Sequence, residues 1–230
     1  MGVYYTEFLR KVSQGNKGLA ILIDPEKFRV NETALFLKKI PKETTHLFVG
    51  GSTVHNGETK AVVTALKQHT NLPVILFPGD HSQITPEADA LLFLSLLSGR
   101  NAEYLVGQQV KSIARLKEWE LEIIPTGYLL IDGGNESAVA RVSDTQPMPQ
   151  EDIELIVHTA LAGEYMGAKV IYLEAGSGAL TPVSFTVIKT VVGAVSIPVI
   201  VGGGIRTETQ KQEAYNAGAA MVVIGTAFEE

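Results

Sequence analysis

Cysteine is absent from this 230-residue chain. Disulfides, thiolate nucleophiles and zinc–thiolate sites are therefore excluded, and the absence fits a cytoplasmic protein. Long apolar runs are missing too, since none reaches the roughly 20 residues needed to span a bilayer. The opening MGVYYTEFLRKVSQG lacks the apolar stretch and small-residue cleavage site of a secretory signal. Positive charge is scarce: 19 Lys and Arg stand against 25 Asp and Glu, a net charge of −6. Such a balance argues against a broad nucleic-acid-binding face. It leaves room for a local anion site, because backbone N–H groups at glycine turns and helix starts hold phosphate without Lys or Arg. His46, His55, His69, His81 and His158 show no HxH or HExxH spacing, so no transition-metal site is expected.

What is present is a march of short apolar runs. They are Gly18–Asp24, Thr45–Gly51, Leu72–Phe77, Ala88–Ser95, Leu121–Asp132, Ala168–Glu174, Ile197–Gly203 and Ala219–Gly225. Most are nearly continuous Val, Ile and Leu, the pattern of strands buried on both faces of a parallel sheet. Asn56–Thr70, Glu103–Trp119, Gln150–Met166 and Thr207–Ala217 between them have helical character, the last opening on an N-cap threonine. Eight strands with interleaved helices predict one α/β domain over residues 1–230, a (β/α)₈ TIM-type barrel, with an open doubly wound sheet as the rival. Only PGDHSQITPE separates the third and fourth runs. That is too short for a crossover helix, so the third helix is expected to be replaced by an extended segment. Gly133–Pro149 reads as a long functional loop, and Trp119 as packing between barrel and helices.

Three groups of residues carry candidate chemistry. VGGGIRT (Val201–Thr207) and IGTAF (Ile224–Phe228) each follow a strand at the end where barrels bind phosphate. Glu174, in YLEAGSGA, ends the sixth strand beside an N–H-rich turn. It reads either as a base or hydroxyl clamp or as the partner of a nearby cation. Asp24 and Ser52 end the first two strands, offering hard oxygens for Mg²⁺ or, equally, caps for the helices that follow. Asp80 and His81, after the third strand, are within reach of a substrate or simply solvated.

Asp24-Pro25-Glu26-Lys27, Gly50-Gly51-Ser52, Phe77-Pro78-Gly79, Tyr172–Ala179 and Val201–Arg206, in this order, resemble the geranylgeranylglyceryl and heptaprenylglyceryl phosphate synthases. The resemblance covers nearly the whole chain. It implies an Mg²⁺-dependent prenyltransferase that alkylates the sn-3 hydroxyl of sn-glycerol 1-phosphate with a prenyl diphosphate, geranylgeranyl diphosphate foremost. By motif match Asp24 and Ser52 would bind Mg²⁺. Tyr172, Leu173, Glu174, Ala175, Gly176, Ser177 and Gly178, with Gly203, Gly204, Gly225 and Thr226, would hold glycerol phosphate, and Glu174 would be the base. The resemblance also implies a barrel without a regular third helix. Phe93, Leu94, Leu96, Leu97 and Tyr104 are candidates for an apolar groove or for ordinary core. A homo-oligomer with transient contact to a membrane surface is expected. Leu22 stands where some members carry lysine, and the usual last helix is expected to be vestigial. Competing readings are a phosphosugar isomerase-like barrel using Asp24 and Asp132, and a phosphometabolite-binding protein without catalysis.

Overall fold

The computed structural model describes residues 2–55 and 57–225. Every apolar run forms a strand: β1 (Gly18–Ile23), β2 (His46–Val49), β3 (Val74–Leu76), β4 (Ala90–Leu96), β5 (Glu122–Leu130), β6 (Val170–Glu174), β7 (Val199–Gly202) and β8 (Met221–Ile224). The strands pair in parallel in chain order, and β8 returns to β1 with Gly18 opposite Met221 and Ile21 opposite Ile224. This closure makes the fold a barrel and removes the open-sheet alternative.

Alternation along the strands divides the core in two. On β6, Val170 and Tyr172 join the cluster that fills the barrel, while Ile171 and Leu173 join the layer between barrel and helices. The helices are α1 (Val3–Ser13), α2 (Thr33–Lys39), α3 (Glu58–His69), α4 (Gln108–Leu116), α5 (Ala138–Ser143), α6 (Ile153–Tyr165), α7 (Phe185–Ala194) and α8 (Glu208–Asn216). Helix α1 closes the N-terminal end of the barrel with Tyr5 and Phe8. Its start has no cap of its own, so the Glu122 carboxylate accepts from the Tyr4 and Tyr5 N–H groups at 2.8 and 2.9 Å. Trp119 packs against the outer layer as expected. Among the described residues, no helix is long and apolar enough to cross a membrane.

The third crossover holds a single 3₁₀ turn, His81–Gln83, in place of a helix. Two expectations need correction. Residues 133–149 are not a structureless loop, because they contain α5, capped where Ser137 Oγ accepts from Ala140 N at 3.1 Å. The helix expected over Glu103–Trp119 starts as a π turn, Glu103–Gly107, before it becomes α4. The expectation of a vestigial last helix concerns residues 226–230, outside those described.

Candidate active site

A cavity of about 380 Å³ opens at the C-terminal ends of the strands. Its polar wall comes from the turns after β6, β7 and β8, with Glu174, Ser177, Gly178, Gly203, Gly204, Arg206 and Gly225. Asp24, Lys27, Ser52 and His81 border it from the turns after β1, β2 and β3. The rest is apolar: Ile84, Leu91, Leu92, Phe93, Leu94, Leu96, Tyr104, Val139 and Val142. Neighbouring β4 residues from both faces of the strand reach this wall. Among the described residues, the third crossover places only a 3₁₀ turn, and no helix, between β3 and β4. The missing helix thus opens an apolar groove beside the barrel mouth.

Glu174 is 6% exposed. Its Oε1 accepts from the Gly176 N–H at 2.8 Å. Burial raises its pKa from 4.5 to about 7, against the lowering effects of the Gly176 N–H and the Tyr172 hydroxyl. Among the described residues it makes no salt bridge, so the cation-partner reading of this carboxylate does not hold. The fully buried Tyr172 hydroxyl lies beside the carboxyl, short of regular hydrogen-bond geometry, and has no other partner among the described residues. Its ring stacks on Phe77 at 5.0 Å and on Tyr128 at 5.5 Å, forming the floor of the cavity.

The glycines make this proximity possible. Gly203 has φ 80°, and a Cβ there would stand 2.3 Å from Glu174 Oε1 and 2.6 Å from Gly176 N. Helix α8 satisfies its own start, because Thr207 and Gln210 form a capping box and Gln210 Oε1 also accepts from Arg206 N. The turn at Gly203 and Gly204, rather than that helix, therefore borders the cavity. Arg206 donates to the Gly178 carbonyl at 3.2 Å and so links the turns after β6 and β7. Sequence reasoning passed over it, although it is the only cation inside the VGGGIRT motif.

Not every residue of the YLEAGSG run reaches the cavity. Tyr172, Glu174, Ser177 and Gly178 border it. Leu173 and Ala175 lie in the outer core, and the Ala175 N–H is taken by the Gly202 carbonyl at 3.0 Å. The Gly176 N–H is taken by Glu174, and Thr226 is outside the described residues. Of the groove candidates, Phe93, Leu94, Leu96 and Tyr104 border the cavity, whereas Leu97 is core and packs near Gly127 and Gly163. Helix α5 supplies Val139 and Val142, which the sequence reading did not anticipate.

At the other side, Asp24 Oδ1 accepts from Glu26 N at 3.1 Å, and Lys27 Nζ is 3.6 Å from Oδ2. A Cβ on Gly51 would stand 2.9 Å from Asp24 Oδ1, so glycine lets the β2 turn come close to the carboxylate. One carboxylate and the Ser52 hydroxyl, facing one cavity, are hard oxygen donors that fit a magnesium ion keeping most of its waters. His55 pairs with Glu26 at 2.8 Å, with Glu58 nearby. Asp132 borders a different cavity, and its Oδ1 accepts from Gly134 N, so it does not pair with Asp24 across a shared site.

Comparison with known proteins agrees with this arrangement. The PcrB family model matches residues 14–230. The geranylgeranylglyceryl phosphate synthase of Zunongwangia profunda is 59% identical over 220 residues, covering 95% of this chain and 94% of that protein. That of Pyrococcus furiosus is 42% identical over 212 residues, covering 91% and 83%. The (S)-3-O-geranylgeranylglyceryl phosphate synthase of Thermoplasma acidophilum, solved with its substrate sn-glycerol-1-phosphate, superposes with a TM-score of 0.91. It is 37% identical, and the match covers 100% of this chain and 93% of that one. The chain belongs to the PcrB family and is an enzyme of the prenyltransferase kind that its geranylgeranylglyceryl phosphate synthase relatives represent.

Proposed function

We propose that this enzyme joins the sn-3 hydroxyl of sn-glycerol 1-phosphate to the prenyl group of geranylgeranyl diphosphate, giving 3-O-geranylgeranylglyceryl 1-phosphate and diphosphate. The observation that carries the reading is Glu174, a buried carboxyl with a pKa near 7, set between glycine turns and an apolar groove. The glycine turns suit the phosphate, with Arg206 beside them, and the groove suits the tail.

An alcohol is a weak nucleophile, and a carboxylate near neutrality can accept its proton as the new C–O bond forms. The bond from the allylic carbon to diphosphate breaks with its electron pair on the leaving oxygen. Asp24 and Ser52 would hold a magnesium ion there, which would supply charge neutralisation for that leaving group.

Incubation with sn-glycerol 1-phosphate, Mg²⁺ and prenyl diphosphates of several lengths, read by mass spectrometry, tests the proposal. A prenylglyceryl phosphate that needs both substrates, with geranylgeranyl diphosphate preferred, is expected. Binding of glycerol phosphate without turnover of any prenyl diphosphate would make this a binding protein instead.

A further inference from the structure

The 3₁₀ turn that replaces the third helix is tied down by one side chain. Gln108 Oε1 accepts from the His81 backbone N–H and meets His81 Nδ1, both at 2.9 Å. A backbone N–H can only donate, so the amide oxygen is fixed as an acceptor and the ring carries a proton on Nδ1. The other end of the amide agrees, since Gln108 Nε2 donates to Glu103 Oε1 at 2.6 Å and a carboxylate only accepts. Gly107 makes room for this carboxylate, because a Cβ there would stand 2.4 Å from Glu103 Oε2. Glu103 belongs to the π turn, a distortion that recurs at functional sites. Carboxylate, amide and imidazole thus form a directed chain that ends at His81 Nε2.

His81 borders the cavity, on a defined side of it. A Cβ on Gly79 would stand 2.4 Å from the Gly51 carbonyl oxygen and 2.9 Å from that of Ser52. The His81 turn is therefore anchored against the β2 turn. Gln108 joins this turn to the segment that carries Glu103, and Tyr104 of that segment, with Asp80 and Lys111 near its hydroxyl, borders the same cavity.

We infer that His81 is a catalytic residue, donating a hydrogen bond from Nε2 to the leaving diphosphate. The inference rests on the transferase reading above. Nε2 takes up a proton from solvent as the diphosphate binds. When the carbon–oxygen bond breaks, the electron pair stays on the diphosphate oxygen, and the Nε2–H stabilises that charge. The proton of the attacking hydroxyl goes to Glu174 as before.

Calorimetry on the full chain with Mg²⁺ and inorganic pyrophosphate, and separately with sn-glycerol 1-phosphate, tests this beside prenyl-transfer rates. His81→Asn keeps a donor for Gln108 but removes Nε2. It should bind pyrophosphate about tenfold more weakly, lower kcat about 10²-fold and leave glycerol phosphate affinity unchanged. His81→Gln, whose amide reaches toward the Nε2 position, should recover part of both losses. Proton uptake on pyrophosphate binding, read from how the heat varies with the ionisation heat of the buffer, should be smaller in His81→Asn than in wild type, since protons exchanged by Mg²⁺ and pyrophosphate themselves are common to both. Wild-type pyrophosphate affinity and buffer dependence in His81→Asn would overturn the inference. Equal loss of both ligands with a lowered Tm, unrelieved in His81→Gln, would overturn it too, by making the role structural. Absence of wild-type turnover would sink the transferase reading, while the pyrophosphate comparison would still decide His81.

Discussion

A Cβ on Gly202 would stand 2.8 Å from Glu174 Oε2 and 2.4 Å from the Tyr172 hydroxyl. The first glycine of the β7 turn therefore serves the carboxylate opposite it as much as any anion. The backbone there would tolerate alanine, since Gly202 is not among the residues with positive φ. The Tyr172 ring, stacked on two neighbours, has nowhere to retreat.

Gly202→Ala should displace the Glu174 carboxyl and lower kcat about 10²-fold, the usual effect of an ångström-scale misplacement. Overpacking should lower stability by about 1–3 kcal/mol. Steady-state kinetics and urea unfolding check both, and an alanine variant with wild-type kcat would remove the constraint.

Asp24→Asn should weaken Mg²⁺-dependent pyrophosphate binding by at least about tenfold and glycerol phosphate binding little, because only the diphosphate needs the metal. Excess EDTA should abolish turnover. Undiminished turnover in EDTA would remove the metal role and leave Asp24 as a cap that accepts from Glu26 N.

The strands were legible because parallel strands buried on both faces are apolar without interruption, but their closure was not, since an open doubly wound sheet shows the same pattern; the β8–β1 pairing decides it. The missing helix was legible from the ten residues of PGDHSQITPE. Helix α5 was not, because its short run sits among Gly, Pro and polar residues; Ser137 ahead of AVARV was the available signal. Contiguity misled at YLEAGSG, where strand alternation sends Leu173 outward between Tyr172 and Glu174. The Glu103–Gln108–His81 chain joins two segments that only the fold brings together, and no local pattern announces it.

Stability should carry the mark of Glu174. Its folded pKa of about 7 lies above its ordinary 4.5, so its favourable contribution is complete below pH 4.5 and is lost as pH rises through 7. Glu174→Gln cannot ionise. Relative to wild type it should gain roughly 3 kcal/mol between pH 4.5 and pH 8. Urea unfolding of both proteins across that range measures the gain, and a pH-independent difference would mean that burial does not hold the carboxyl neutral.

The most direct measurement is steady-state kinetics of Glu174→Gln, which keeps the side chain's size and one acceptor oxygen while removing its basicity. If Glu174 accepts the hydroxyl proton, kcat should fall about 10²–10⁴-fold while glycerol phosphate affinity changes little. Wild-type kcat/KM should rise with pH through about 7, as the carboxyl ionises, and the variant should lose that limb. A carboxylate that merely clamped the glycerol hydroxyls would raise KM and leave kcat alone. A Glu174→Gln enzyme with near-normal kcat would contradict the account.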